Sequence, residues 1–342
     1  MVQMLERMDN NATRRDRLSN LASSLSSRFE RLGELGDLDK AIEYRSRALA
    51  SIPDGHPHLS IILANLAVSL SSRFDRLGEL CDIEKAIEYH SQALALTPGG
   101  HPDLPGRLTG LVVSLSSRFE RLGELGDLEK AIEYRSRALT LTPDGHPHLP
   151  GRLTGLAVSL SSRFERLGEL GDLEMVIEYE SRALTLTPGG HPQLSDRLTN
   201  LAVSLSSRFG RLGELDDLEK ANEYHSRALA LTPDDHPHLS GRLTNLALSL
   251  KNRFERLGEL DDLEKAIEYH SRAFASTPDD HPHLPSRLAN LALSLSSRFE
   301  RLGELGDIEK AIEYHSRALA LTPDDHPHLP SRLANLASSL SS

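Results

Sequence analysis

The chain is 342 residues long, room for two ordinary domains or for one array of repeats that share a continuous core. Aromatic residues make up only 4% and Trp is absent, so Leu, Ala and Ile must carry the packing, which suits closely packed helices. A formal net charge of -11 argues against a general affinity for nucleic-acid phosphates or anionic lipid, and the single Cys81 excludes an internal disulfide and any CxxC metal site.

The opening segment, MVQMLERMDNNATRRDRL, lacks the apolar core of a secretory signal, and no stretch approaches the roughly 18 to 20 apolar residues of a membrane span. Together with the lone cysteine this predicts a cytoplasmic protein that binds neither membrane nor nucleic acid. Residues 1–15 are expected to be an N-terminal extension. From there the segment RFERLGEL and its variants recur, with Phe29, Phe74, Phe119, Phe164, Phe209, Phe254 and Phe299 each 45 residues after the last. The spacing predicts seven tandem repeats over 16–330 and an incomplete eighth, helix A only, over 331–342.

Within the last full repeat, Leu288, Leu291, Ala292, Leu295, Phe299 and Leu302 step by three or four, one face of an amphipathic helix, here helix A. Ile308, Ala311, Ile312, Ala318 and Leu319 predict a second, helix B. Gly33 and its equivalents are expected to close helix A. Asp37, Asp82, Asp127, Asp172, Asp217, Asp262 and Asp307 are expected to N-cap helix B. All 18 prolines fall in the segments after helix B, so no helix is interrupted. Ser60, Ser195 and Ser240 alternate with Pro105, Pro150, Pro285 and Pro330 at one register and mark the start of helix A. No period-2 alternation of β-branched residues appears, which leaves stacked helix pairs as the solution.

The helix-B segment AIEYHSRALALTP, with Ala311, Ala318 and Pro323, resembles the second helix and terminal proline of the tetratricopeptide repeat (TPR). Leu291, Ala292 and Leu295 resemble that family's helix-A signature. The period exceeds the TPR value of about 34, with roughly seven extra residues assigned between the helices and about four before the next repeat. Units of this length, with HP followed by LxNLA, are similar to the kinesin-light-chain class of TPR, and more so to arrays found in fungal proteins beside caspase-like CHAT domains. The resemblance covers about 16–342 and implies an all-α fold, a right-handed superhelical solenoid of antiparallel helix pairs. It also implies a binding module rather than an enzyme. The chain ends at SLSS without a polar capping helix, which suggests a truncated product lacking a C-terminal effector.

Helix A lines the concave groove in TPR proteins, and its variation is the most informative. Asn20, Asn65, Asn200, Asn245, Asn290 and Asn335 share one register, with Gly110 and Gly155 in the middle repeats. An amide carries donor and acceptor together, so such a ladder could pair with any extended backbone, like the asparagine ladder of peptide-binding TPRs. Alternatively, Asn bonds the neighbouring repeat or faces water. Three residues earlier stand Arg17, Arg107, Arg152, Arg197, Arg242, Arg287 and Arg332, with Ile62 the exception. Guanidinium groups in a row suit carboxylates or phosphates, or else pair with the acidic loops between repeats. Helix A of the last full repeat balances to +2 over 286–302 and helix B to -2 over 304–320, which makes acidic linear segments the expected ligands.

Metal and cofactor are not expected. His56 and His58, and the equivalent HPH pairs, offer two nitrogens held apart by a proline, short of the three or four ligands zinc needs, and Asp103 and Gln193 replace the second histidine. The pairs read as ordered turns that fix the approach to helix A. Cys81 occupies a register filled elsewhere by Gly36, Gly126 or Asp216, with no activating neighbour. An active site needs one unique constellation, and near-identical copies do not supply it. The expected function is a non-catalytic scaffold that binds an extended peptide or partner helix in the groove. The alternatives are a regulatory or sensor region of a larger CHAT protease-like effector and an architectural spacer.

Overall fold

The computed structural model describes residues 2–53 and 55–342, and side chains from residue 13 onward. Its helices fall in pairs: α1 (Val2–Leu32) with α2 (Leu35–Ala50), α3 (Leu59–Leu77) with α4 (Leu80–Ala95), and α5 (Leu104–Leu122) with α6 (Leu125–Thr140). The series continues with α7 (Leu149–Leu167) and α8 (Leu170–Thr185), α9 (Leu194–Leu212) and α10 (Leu215–Ala230), and α11 (Leu239–Leu257) and α12 (Leu260–Ala275). It goes on with α13 (Leu284–Leu302) and α14 (Leu305–Ala320), then α15 (Leu329–Ser341). Among the described residues there is no strand, and the helices follow one another in the tandem pairs that the 45-residue period predicts. The expected extension, 1–15, is helical from Val2 and continuous with α1, and its side chains through residue 12 lie outside the described residues. No helix is long and apolar enough to cross a membrane among the described residues. The chain divides into two compact units, 1–179 and 180–342.

Helix A ends because Gly33, Gly78, Gly123, Gly168, Gly213, Gly258 and Gly303 each take a left-handed φ of 71–75°, and each donates its N–H to the carbonyl of the phenylalanine four residues back at 2.7 Å. A Cβ would strain that conformation, so glycine is required there. Only this glycine and a glutamate separate the two helices of a pair, as Gly78 and Glu79 do between α3 and α4. The extra residues of the long repeat therefore do not form the expected insertion between the helices. They lengthen the helices themselves, to 19 residues for A and 16 for B.

Two cap assignments are corrected. The N-cap of helix B is the glutamate, Glu34 in the first pair, and Asp37 sits in the first turn. There its carboxylate accepts two hydrogen bonds from Arg28, near the end of helix A. The same two-pronged pair recurs as Arg73–Asp82, Arg118–Asp127, Arg163–Asp172, Arg208–Asp217, Arg253–Asp262 and Arg298–Asp307 at 2.5–2.8 Å. These aspartates are buried, whereas the arginines keep partial contact with water. A carboxylate near the first N–H groups of a helix also meets the positive end of the helix dipole. Helix A begins one residue before the Ser/Pro register, at Leu59 and its equivalents, with His58 as N-cap and no side-chain cap. The first histidine of each turn supplies the missing acceptor: His56 Nδ1 takes the N–H of His58 at 3.1 Å, and His101, His146, His191, His236, His281 and His326 repeat the arrangement.

The core passes from one pair to the next. In unit 1, Leu66, Ala67, Leu70 and Phe74 of α3 pack on Ile83 and Ala86 of α4, and Ile42 and Leu49 of the preceding α2 close the cluster. Fully buried alanines such as Ala41, Ala86, Ala266 and Ala311 let the helices approach closely. Unit 2 repeats the pattern with Leu291, Ala292 and Leu295 against Ile308, Ala311 and the earlier Ile267 and Phe274. One position breaks it. Asn222 replaces the isoleucine found as Ile42, Ile87, Ile132, Ile177, Ile267 and Ile312, is buried, and has neither amide atom hydrogen-bonded.

Two substitutions test this frame. Arg253→Leu strands the buried Asp262 carboxylate, and it is expected to cost about 2–3 kcal/mol by urea unfolding, the partial exposure of the arginine reducing the full buried-pair penalty. Asn222→Ile removes two unsatisfied buried atoms and restores an apolar contact, and it is expected to stabilise by about 2 kcal/mol in the same measurement.

Candidate functional site

Within unit 2, α9 touches α11, α11 touches α13 and α13 touches α15, so successive A helices form one wall. An open concavity of about 540 Å³ lies on it, lined by Asp196, Asn200, Arg242, Asn245 and Arg287, together with the histidines His238, His281 and His283. It brings together four of the residues predicted from the sequence. Asn200, Asn245 and Asn290 are half-buried here, and Asn20 and Asn65 in unit 1 are exposed. None of these five side-chain amides makes a hydrogen bond to the protein; only the backbone carbonyls of Asn20, Asn200 and Asn290 are engaged, by the serines one turn on. The amides are unspent donors and acceptors. Beside them, one turn along each helix, runs an exposed apolar row: Val68, Val113 and Val158 in unit 1, Val203 and Leu248 in unit 2.

The arginines sit differently. Arg152, Arg197, Arg242 and Arg287 turn Nη1 back to the hydroxyls of Thr142, Thr187, Thr232 and Thr277, at the end of the preceding helix B. Each of those hydroxyls donates in turn to an alanine carbonyl of the last helical turn at 2.6–2.7 Å. A cation here satisfies the negative end of helix B and fixes where the next helix A begins. Burial pulls Arg152, Arg197 and Arg287 below the ordinary arginine value. Arg107 lacks the threonine bond; it faces Asp103 at 4.0 Å, with Nε buried and unpartnered. The exception at Ile62 has a matching exception: Ile52 occupies the threonine register, so an apolar pair of residues replaces a polar one.

The glycines of the asparagine register also have a cause. A Cβ at Gly110 would come within 2.7 Å of the His90 ring, and one at Gly155 within 2.7 Å of Arg135 Nη1. His90 and Arg135 belong to a row that sequence reasoning missed: Arg45, His90, Arg135, Glu180, His225, His270 and His315, one per helix B, turned toward the following helix A. Arg45 donates to Ser69, Arg135 to the Gly155 carbonyl, and Glu180 accepts from Ser204 Oγ at 2.9 Å. Both ring nitrogens of His270 are buried without a partner. The signal was present in the sequence as one titratable residue every 45 positions inside an otherwise apolar face. It was hidden by its change of identity from repeat to repeat.

Among the described residues no group of three or more His, Cys, Asp or Glu side chains could hold a metal ion. Cys81 is exposed in the first turn of α4.

No protein-family model matches the chain, and no curated protein matches it. Solved structures similar to it include TPR proteins. A Podosopora anserina protein of nearly identical TPR-like repeats shares 15% identity over 62% of this chain and 97% of its own, with a TM-score of 0.46. YrrB, a TPR protein with an unusual peptide-binding site, shares 16% over 69% and 98%, at 0.45. BtubC (BKLC) from P. vanneervenii shares 18% over 75% and 89%, also at 0.46. At such values the likeness adds nothing to the side chains, whose geometry has to speak for itself.

The buried row makes stability depend on pH in two opposed ways. Burial lowers His90, His225 and His270 to about 4, so the stability they contribute is complete above pH 6.5 and is lost as pH falls toward 4. Arg107 beside His90 and Lys251 beside His270 push the same way. Burial raises Glu180 to about 7, so its contribution is greatest below pH 4.5 and is lost as pH rises to about 7. Glu180→Gln is therefore expected to stabilise at pH 8 by on the order of 3 kcal/mol and to gain nothing at pH 4, read as the pH dependence of the urea midpoint.

Proposed function

We propose that the protein is a non-catalytic interaction scaffold that holds an extended segment of a partner against its A helices, with acidic segments preferred. The observation that carries this reading is the pair Asn200 and Asn245, whose free amides border one concavity of about 540 Å³. An amide side chain pairs with a peptide unit through one donor and one acceptor regardless of sequence, as a ladder for extended chains requires. Neighbouring helices lie about 8–10 Å apart and an extended chain advances about 3.3 Å per residue, so consecutive rungs meet roughly every third residue of the ligand. The adjacent row, Val203 at 43% and Leu248 at 38% exposure, offers apolar contact to ligand side chains that point toward the helices. Excess positive charge on the A helices, set against acidic B helices and loops, favours ligand carboxylates despite the net charge of -11.

Fluorescence titration with acidic and basic peptide libraries at two salt concentrations tests the preference. Acidic peptides are expected to bind more tightly at low salt, and a uniform preference for basic peptides overturns the charge argument. The joint substitution Asn245→Ala and Asn290→Ala is expected to weaken peptide binding about tenfold or more with little change in unfolding midpoint, each lost pair of hydrogen bonds being worth about 1–2 kcal/mol. Unchanged affinity in that variant would favour a spacer over a recognition groove.

A further inference from the structure

The second terminal nitrogen of each helix-A arginine separates one repeat from another. In unit 2, Arg242 gives Nη1 to Thr232 and Nη2 to the carboxylate of Asp196, which stands on the preceding A helix. Arg332 does the same with Thr322 and with Ser286 Oγ, the latter at 3.2 Å. In both cases the acceptor lies 46 positions before the arginine. For Arg287 that position is Gly241, which has no side chain. Arg287 is 7% exposed, and its side chain bonds Thr277 through Nη1 and makes no other hydrogen bond or ion pair.

The vacancy opens into the concavity. Gly241 and Arg287 both line it, alongside Arg242, Asn245 and His283. A Cβ added at Gly241 would meet nothing within 4 Å, so packing does not demand glycine there; what glycine does is leave room. The one carboxylate on the lining, Asp196, is already engaged by Arg242. A buried guanidinium without a counter-charge is costly, and the neighbouring repeat shows which group relieves it at that register.

We propose that Arg287 above Gly241 is a carboxylate subsite, filled by an aspartate or glutamate side chain of the bound segment, and that Asp196 is the built-in occupant of the equivalent subsite at Arg242. The proposal rests on the groove reading and gives it polarity along the array: one arginine is satisfied from within, and the next is left for the ligand. The neighbouring Asn245 amide would hold the ligand backbone while Arg287 takes the acid.

The test uses the full chain and two fluorescein-labelled probes, a peptide alternating leucine with glutamate and its counterpart with glutamine for every glutamate. The wild-type protein is expected to prefer the glutamate peptide by about tenfold at low salt, the scale of a charge-assisted hydrogen bond. Gly241→Asp copies the arrangement at Asp196; it is expected to abolish that preference and to raise the unfolding midpoint. Gly241→Asn, of equal bulk and no charge, is expected to keep most of the preference. Asp196→Gly opens a second subsite and is expected to increase the preference roughly threefold. A preference untouched by Gly241→Asp, or equal losses for both peptides in Gly241→Asp and Gly241→Asn, overturns the subsite. If the glutamine peptide binds through Asn245 and the glutamate peptide binds no better, the groove stands and the subsite falls. If neither probe binds the wild-type protein, the groove reading falls and takes the subsite with it.

Discussion

The two-pronged pair between the arginine near the end of helix A and the aspartate in the first turn of helix B is the contact on which each repeat depends. Two residues, a left-handed glycine and a glutamate, turn the chain, and they leave it little choice of direction. The pair then clamps the helices on either side of that turn, with the buried carboxylate held by two parallel N–H donors. Because the fork has a fixed geometry, it sets an orientation as well as supplying attraction. A turn and a clamp of constant form recur from pair to pair, and that constancy is what a stack of like repeats needs.

Between pairs the logic differs. The interface is apolar along most of its length and carries one titratable residue per repeat, from Arg45 to His315. Surrounding leucines and alanines are nearly invariant along the chain, whereas this residue is Arg, His or Glu. Each choice changes how the next helix A is met. Arg135 reaches a backbone carbonyl and needs Gly155 above it; Glu180 takes a serine hydroxyl; His270 finds nothing. The joints between pairs are thus chemically unequal although the helices are of like length, and the least satisfied of them, at Asn222 and His270, both lie in unit 2. Local opening free energies should follow that inequality rather than the uniform helix lengths.

Much of the architecture was legible in the sequence, because helix periodicity, glycine and proline act locally. Leu288 through Leu302 announce one helix, Gly303 its end, and the proline-rich turn the start of the next. What was misread depended on contacts across a turn or between repeats. Asp37 before an apolar run looks like an N-cap, and nothing local reveals that Arg28, nine residues earlier, claims its carboxylate. The HPH pairs read as ordered turns, but nothing local reveals that the first histidine of each accepts the backbone N–H two residues on. The helix-A arginines looked like one set; hydrogen bonding divides them into a Thr-bonded group, Arg152 through Arg332, and Arg107, which lacks the threonine bond. The asparagine ladder was legible as a register, but its freedom from internal hydrogen bonds could be known only from the side chains themselves.

Near-identical repetition also lets the molecule act as its own control. A register constant in every repeat, such as the Arg–Asp clamp, belongs to the fold. A register that changes together with its neighbour belongs to the fold as well: Ile62 goes with Ile52, and Gly110 goes with the His90 ring that would collide with a Cβ. Function is then to be sought among changes that nothing inside the protein compensates. Asp196, Gly241 and Ser286 form such a series on three successive A helices. The first and last answer the arginine of the following repeat, and the middle one leaves Arg287 without an acceptor. Since the space above Gly241 is open, the missing acceptor is not a consequence of packing, and the side of Arg287 that it leaves free borders the concavity in which the bound segment is proposed to lie.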